Sequence, residues 1–312
     1  MSSFAQDTRG SWPLSLSHLT VIELSPPEVV SAAAAAGFAY ADLRLAKAVP
    51  ADAEYPMFGD TPMLRETLRR AEDSGVRIFD VELIRLRSDT DVPSYERLLD
   101  AGRRLGAQRV KVSGDDPDRA VVVAKFAELC ALADGYGLVV DLEFTPWSGV
   151  DSLAAAVAVI EAAGAANGKV LIDSLHLMRS GGSPEDIARF DRRHFDYLQL
   201  CDAPQSSPCS GKSTRKEALD AILSEARTER MVPGEGSLPL ADLLTRFPPT
   251  IPLSIELPLR ALAAHMPAAE RAKLAADGTR RFLASLASLA QMTDSPAASP
   301  SSASPPSPTG SP

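Results

Sequence analysis

Four oxygen-bearing side chains close four successive β-like runs: Glu143 in Val-Asp-Leu-Glu, Asp173 in Leu-Ile-Asp, Gln199 in Tyr-Leu-Gln and Glu256 in Ser-Ile-Glu. Three carboxylates and an amide oxygen are hard donors. Such a set suits Mg²⁺ or Mn²⁺ better than Zn²⁺, which favours imidazole and thiolate. The alternative is that these residues are strand-end caps and ion pairs. His176 follows Asp173 by three residues; its ordinary pKa suits proton transfer, and orienting Asp173 is its other possible role. Lys111 could act as an acid, as an electrostatic clamp, or as a salt-bridge partner of Asp141. Arg227 and Arg230 stand ahead of Pro233-Gly-Glu-Gly236. Arginine forks suit carboxylate or phosphate, and glycines let backbone N–H groups approach a ligand. An ordinary Pro-Gly turn with solvated arginines explains the same stretch.

The elements that must carry these residues alternate in type. Strand-like runs are predicted at 19–24, 39–45, 77–83, 109–113, 138–144, 169–174, 195–201 and 252–257, with helical stretches between them, for example 62–74, 94–105, 117–136 and 152–163. Gly75, Gly106, Gly137 and Gly164 follow those four helices, where a left-handed C-terminal residue is expected. Alternation of this kind implies βαβ units and a parallel sheet. Eight repeats point to a closed (β/α)₈ TIM barrel, for which about 250 residues is usual. No strand is followed by G-x-G-x-x-G, which counts against a dinucleotide-binding sheet. We expect a loose lead-in over 1–17, one barrel over 18–292, and a disordered Ser/Pro-rich tail over 293–312, whose composition cannot repay the entropy of ordering.

Side chains alternate in and out along a strand, and barrel active sites gather at the C-terminal strand ends. Each predicted strand offers one inward polar residue near its end: Glu23, Arg44, Glu82, Lys111, Glu143, Asp173, Gln199 and Glu256. Inward charge is costly unless it is paired or metal-bound. The last four define the expected metal site. Arg44 and Glu82, with Arg227 and Arg230, are expected to face substrate; Glu143, His176, Glu256 and Lys111 are the candidates for catalysis.

The chain has 312 residues, 45% of them apolar, and a formal net charge of −9. That balance counts against a nucleic-acid footprint or an anionic membrane partner. The Ala32–Ala36 run is too short to span a bilayer. Cys130, Cys201 and Cys209 form neither a disulfide framework nor a C-x-x-C pair. With no signal-peptide pattern at the start, the expected setting is a reducing cytoplasm.

At the residues quoted above, and over about Leu19 to Leu289, the chain resembles the xylose isomerase-like TIM-barrel superfamily. The motifs are Val-Asp-Leu-Glu143, Leu-Ile-Asp173-Ser-Leu-His176, Tyr-Leu-Gln199-Leu-Cys-Asp202, Pro233-Gly-Glu-Gly-Ser-Leu-Pro-Leu and Ser-Ile-Glu256-Leu-Pro. The resemblance implies a divalent metal on Glu143, Asp173, Gln199 and Glu256. It also implies proton abstraction beside a carbonyl, with the metal stabilising the enolate. In the epimerase branch a His stands where Gln199 is. A Glu/Asp/Gln/Glu set and the Arg…Pro-Gly-Glu-Gly stretch look like bacterial 3-dehydroshikimate dehydratases, in which an arginine would hold the substrate carboxylate. The expected function is therefore a sugar or keto-polyol isomerase/epimerase, with 3-dehydroshikimate dehydratase as the close alternative and a non-catalytic binding barrel as the third. A small polyhydroxy or keto-acid substrate is expected, with self-association open. The DNA-repair branch uses several extra histidines, whereas this chain has four in all.

Overall fold

Eight parallel strands close on themselves in chain order. They are β1 (Leu14–Leu16), β2 (Tyr40–Arg44), β3 (Arg77–Leu86), β4 (Arg109–Gly114), β5 (Val139–Glu143), β6 (Gly168–Asp173), β7 (Leu198–Leu200) and β8 (Leu253–Ile255). The outer ring is α1 (Pro26–Ala36), α2 (Pro62–Ser74), α3 (Glu96–Leu105), α4 (Arg119–Asp134), α5 (Leu153–Ala163), α6 (Ser174–Arg179), α7 (Arg215–Thr228), α8 (Leu240–Thr245), α9 (Arg260–Ala263) and α10 (Ala268–Asp294). This computed structural model describes residues 12–47 and 52–294. The expected tail lies outside the described residues, apart from Thr293 and Asp294 at the end of α10. No helix among the described residues is long and apolar enough to cross a membrane.

Local signals explain the helix boundaries. The side chains of Thr61, Asp118 and Ser152 accept backbone N–H bonds at the starts of α2, α4 and α5. Gly75, Gly106 and Gly164 end α2, α3 and α5 in the left-handed conformation that lacks a steric penalty only for glycine. The main core lies between strands and helices, where outward strand residues such as Leu16, Val81, Val110, Val140 and Ile172 meet buried helical side chains.

The first strand corrects an expectation. Residues 19–24 do not form it: His18–Val21 is a single 3₁₀ turn, and the strand is the earlier Leu14–Leu16, inside the stretch expected as a lead-in. The turn caps the barrel instead. Thr20 Oγ1 donates to the Ile255 carbonyl at 2.9 Å and accepts the Leu257 N–H at 2.8 Å. Glu23 therefore leaves the inward ring and pairs with Arg271 of α10.

Inside the barrel, side chains stack in layers. Tyr40, Phe79, Leu171 and Tyr197 form a small cluster separate from the main core. Next comes a hydrogen-bonded acidic layer: Ser15 and Ser254 donate to Asp42 at 2.6 and 2.5 Å, and Tyr197 donates to Asp80 at 2.5 Å. Above it, toward the C-terminal strand ends, lie the residues singled out by their spacing.

Candidate functional site

Strand pleating carries seven of the eight expected side chains to one place. Asp173 ends β6 and caps α6: its Oδ1 accepts the N–H groups of Leu175 and His176 at 2.7 and 3.0 Å. Its Oδ2 accepts Arg230 Nη1 at 2.6 Å. Glu256 follows β8. Its Oε1 accepts Ser17 Oγ at 3.0 Å and Gln199 Nε2 at 3.1 Å and lies 3.4 Å from Lys111 Nζ. Its Oε2 is 2.8 Å from Arg230 Nη2. Lys111 also pairs with Glu82, whose other oxygen is 3.2 Å from Arg44 Nη2. Lys111 does not pair with Asp141, although the two are register partners on β4 and β5. Arg109, two residues earlier on β4, holds both oxygens of Asp141 at 3.0 and 3.1 Å and reaches Asp196 at 2.8 Å.

Glu143, Asp173 and His176 place ligand atoms within 4.8 Å of one another, a spacing that could hold a metal ion. Gln199 Oε1 is buried and has no hydrogen-bond partner. A buried acceptor is costly when unpaired, so this oxygen fits the role of a ligand. The donors are three carboxylates, an amide and an imidazole, so the residues fit a divalent cation. His176 enters the cluster beside the four expected ligands. Two of those ligands, Asp173 and Glu256, meanwhile share the guanidinium of Arg230.

The electrostatics are uneven across this small volume. Burial pushes the Glu143 carboxyl up to about 8, an effect that Lys111 opposes and that Glu256 and Asp173 reinforce. Burial lowers His176 to about 4 against the pull of Asp173, so its imidazole is neutral near pH 7. Burial would raise Glu256, but Lys111 and Arg230 outweigh it and hold that carboxylate well below its usual range. Burial likewise opposes the charge on Lys111, yet Glu82, Glu256 and Glu143 keep its ammonium well above the ordinary value. Lys111 is thus a fixed positive charge rather than a proton donor near neutrality.

The pocket over this cluster is lined by Glu143, His176, Lys111, Arg230 and Glu256, by Arg44, Arg85, Arg227, Arg260 and Trp147, and by the carboxylates of Asp52 and Asp115. Trp147 meets the His176 ring edge-on, with centroids 5.0 Å apart. Arg227, near the end of α7, makes no ion pair among the described residues. Burial, with the nearby charges of Arg85 and Arg44, lowers its pKa. Ser113 and Thr145 also line the pocket, and their buried hydroxyl oxygens have no hydrogen-bond partner. Neither stands out by its spacing in the sequence. They carry the same inward parity as Lys111 and Glu143, one step nearer the mouth, but neutral hydroxyls do not stand out in a sequence.

The Pro-Gly-Glu-Gly stretch has a structural duty. Asp202 Oδ2 accepts the Gly234 N–H at 3.0 Å, and its Oδ1 accepts the Leu238 N–H at 3.0 Å. A Cβ on Gly236 would fall 2.4 Å from Asp202 Oδ1 and 2.5 Å from the Ala203 carbonyl oxygen, so only glycine lets the loop close over this carboxylate. Its glycines therefore face Asp202. An antiparallel bridge between Asp202 and Met231 fixes the backbone next to Arg230.

A family model described as xylose isomerase-like TIM barrel matches residues 30–286. No curated protein matches the chain by sequence. Among solved structures, a xylose isomerase-like TIM barrel/4-hydroxyphenylpyruvate dioxygenase fusion protein is 20% identical with a TM-score of 0.70, covering 93% of this chain. This chain spans 45% of that protein's length. The probable 3-DHS dehydratase AsbF from Bacillus anthracis is 17% identical with a TM-score of 0.65, over 85% of this chain and 97% of its own. D-allulose 3-epimerase from a Methylomonas species is 13% identical with a TM-score of 0.62, over 88% and 99%. At these identities the likenesses establish the shared barrel.

Proposed function

Because the chain belongs to the xylose isomerase-like TIM-barrel family, we propose that it is a divalent-metal-dependent enzyme that removes a proton beside the carbonyl of a small hydroxylated keto acid and expels a β-hydroxyl. That is the chemistry of a dehydratase, with 3-dehydroshikimate the compound to try. The observation that carries this reading is Arg227, which makes no ion pair among the described residues, in a pocket also lined by Arg44 and Arg85, themselves paired with Asp52 and Asp115. A pocket-lining cation without an ion-pair partner favours an anionic ligand, and a neutral sugar has no group to meet it. The unpartnered hydroxyls of Ser113 and Thr145 suit a substrate that carries its own hydroxyls.

Glu143, Asp173, Gln199 and Glu256 would hold the cation, with His176 beside them. Such an ion supplies Lewis acidity at the substrate carbonyl. His176, neutral and lining the pocket, is the candidate base. Lys111 contributes a fixed positive field where negative charge develops. Trp147 packs edge-on against His176.

An isomerase or epimerase is the second reading. Glu143 and Glu256 are two carboxyls in opposite protonation states at one pocket, and such a pair can take a proton at one face of a carbon and return it at another. Absorbance separates the two readings. Protein with Mn²⁺ or Mg²⁺ and 3-dehydroshikimate should develop the ultraviolet band of an aromatic product. No band, with ketose interconversion seen by NMR, selects the isomerase. Wild type and Glu256→Ala that bind equally little Mn²⁺ would remove both readings and favour a non-catalytic barrel.

A further inference from the structure

We propose that Arg230 is a built-in rival of the divalent cation: its guanidinium must leave Asp173 and Glu256 before an ion can bind them both. The inference rests on reading this cluster as a metal site. Arg230 is 3% exposed and bridges the two carboxylates, at 2.6 Å to Asp173 Oδ2 and 2.8 Å to Glu256 Oε2. The remaining oxygen of each carboxylate is already engaged. Asp173 Oδ1 takes two backbone N–H groups, and Glu256 Oε1 takes Ser17, Gln199 and Lys111. Oδ2 and Oε2 are the least engaged oxygens left for an incoming ion, and the arginine fork already holds a lone pair on each. A guanidinium and a divalent ion on the same oxygens would also repel each other in a water-poor site.

The side chain has somewhere to go. Arg230 itself lines the pocket, next to Ala226 and Arg227. The backbone beside it is pinned, since Met231 and Asp202 exchange both N–H···O bonds at 2.8 Å. Release is therefore a side-chain rotation that breaks the Nε bond to the Ala226 carbonyl, now 2.8 Å long. The freed guanidinium would add an anion-binding arm to the pocket as the ion enters. Arg230 thus sets metal affinity, in addition to any contact with substrate.

The test is Mn²⁺ binding by calorimetry, with free Mn²⁺ counted by electron paramagnetic resonance, in wild type, Arg230→Met and Arg230→Lys. Removing a like charge from contact distance should tighten Mn²⁺ binding by at least about tenfold in Arg230→Met. Arg230→Lys should fall between the two, because an ammonium bonds as a single point. Melting with and without Mn²⁺ shows whether Arg230→Met folds, and the metal should raise its Tm more than that of wild type. Arg230→Met binding no tighter than a wild type that does bind Mn²⁺ overturns the inference and leaves the metal site standing. Failure of all three proteins to bind Mn²⁺ overturns both.

Discussion

Acid should cost this protein the stability contributed by neutral His18, a residue outside the candidate metal cluster. His18 is fully buried: its Nδ1 accepts the Arg44 N–H at 2.9 Å, and its Nε2 lies 2.9 Å from the Leu24 carbonyl oxygen. Both bonds are satisfied by the neutral ring. Burial lowers its pKa from 6.5 to about 4, with the Leu24 carbonyl opposing and Arg44 adding to the shift. The folded value lies below the unfolded one, so between these limits the unfolded chain binds more protons. The stability is complete above pH 6.5 and is lost as pH falls toward 4. Two-state linkage with these values gives a loss of about 2.5 kcal/mol between pH 7.5 and 4.5. Other groups titrate in the same range. Asp42, pushed up to about 7 by burial, has the opposite sign. The comparison must therefore be a difference between wild type and His18→Gln. Urea unfolding followed by circular dichroism at several pH values supplies it. The stability gap between the two proteins should shrink by about 2.5 kcal/mol from pH 7.5 to 4.5. A gap that stays constant over that range would show that His18 does not titrate as its surroundings imply. Protonation would also turn Nδ1 from acceptor to donor against the Arg44 N–H, so the loss reaches the edge of the pocket.

Other expectations follow from single contacts. Arg227→Ala should raise KM by roughly tenfold with kcat nearly unchanged, the signature of lost ground-state binding; an unchanged KM for a carboxylate substrate would remove the anionic-pocket reading. Arg109→Met strands the fully buried Asp141, and should cost about 3–5 kcal/mol in urea unfolding, much of it recovered by adding Asp141→Leu. Gly114→Ala would bring a Cβ to 2.4 Å from Val150 Cγ2 and 2.9 Å from Val122 Cγ1, and should lower stability by about 1–3 kcal/mol with the site residues unchanged.

Period-two alternation was enough to find the inward residues of β2 to β8, because a parallel strand buried on both faces cannot hide a charge except inside the barrel. It failed at β1 for a definite reason. Residues 19–24 alternate like a strand, but Thr20 spends its hydroxyl on the end of β8, and the true strand is three residues long with only Ser15 to show inside. Parity also cannot say which inward groups pair. Lys111 and Asp141 are register neighbours, yet Arg109 claims Asp141, and Lys111 turns to Glu82 on the other neighbouring strand and to Glu256 across the barrel. Such choices depend on charges brought together from distant strands, which no local pattern carries.

The same limit explains why the charge balance of the site was not legible. Read as a ring on strand ends, Glu82, Glu143, Asp173 and Glu256 outnumber Arg44 and Lys111 and call for an external ion to neutralise the excess. In the folded chain Lys111, Arg44 and Arg230 reach the same space as Glu82, Glu143, Asp173 and Glu256, three cations against four carboxylates. Glu143, pushed up to about 8, keeps its proton near neutral pH. The buried cluster is therefore close to neutral from its own side chains, as the cost of burying net charge requires. Adding two positive charges disturbs that balance, and the cluster can restore it by releasing the Glu143 proton, by turning Arg230 outward, or by both. Arg230 comes from beyond α7, 57 residues after Asp173, so the Arg…Pro-Gly-Glu-Gly stretch could single it out, but no strand periodicity could place it between Asp173 and Glu256.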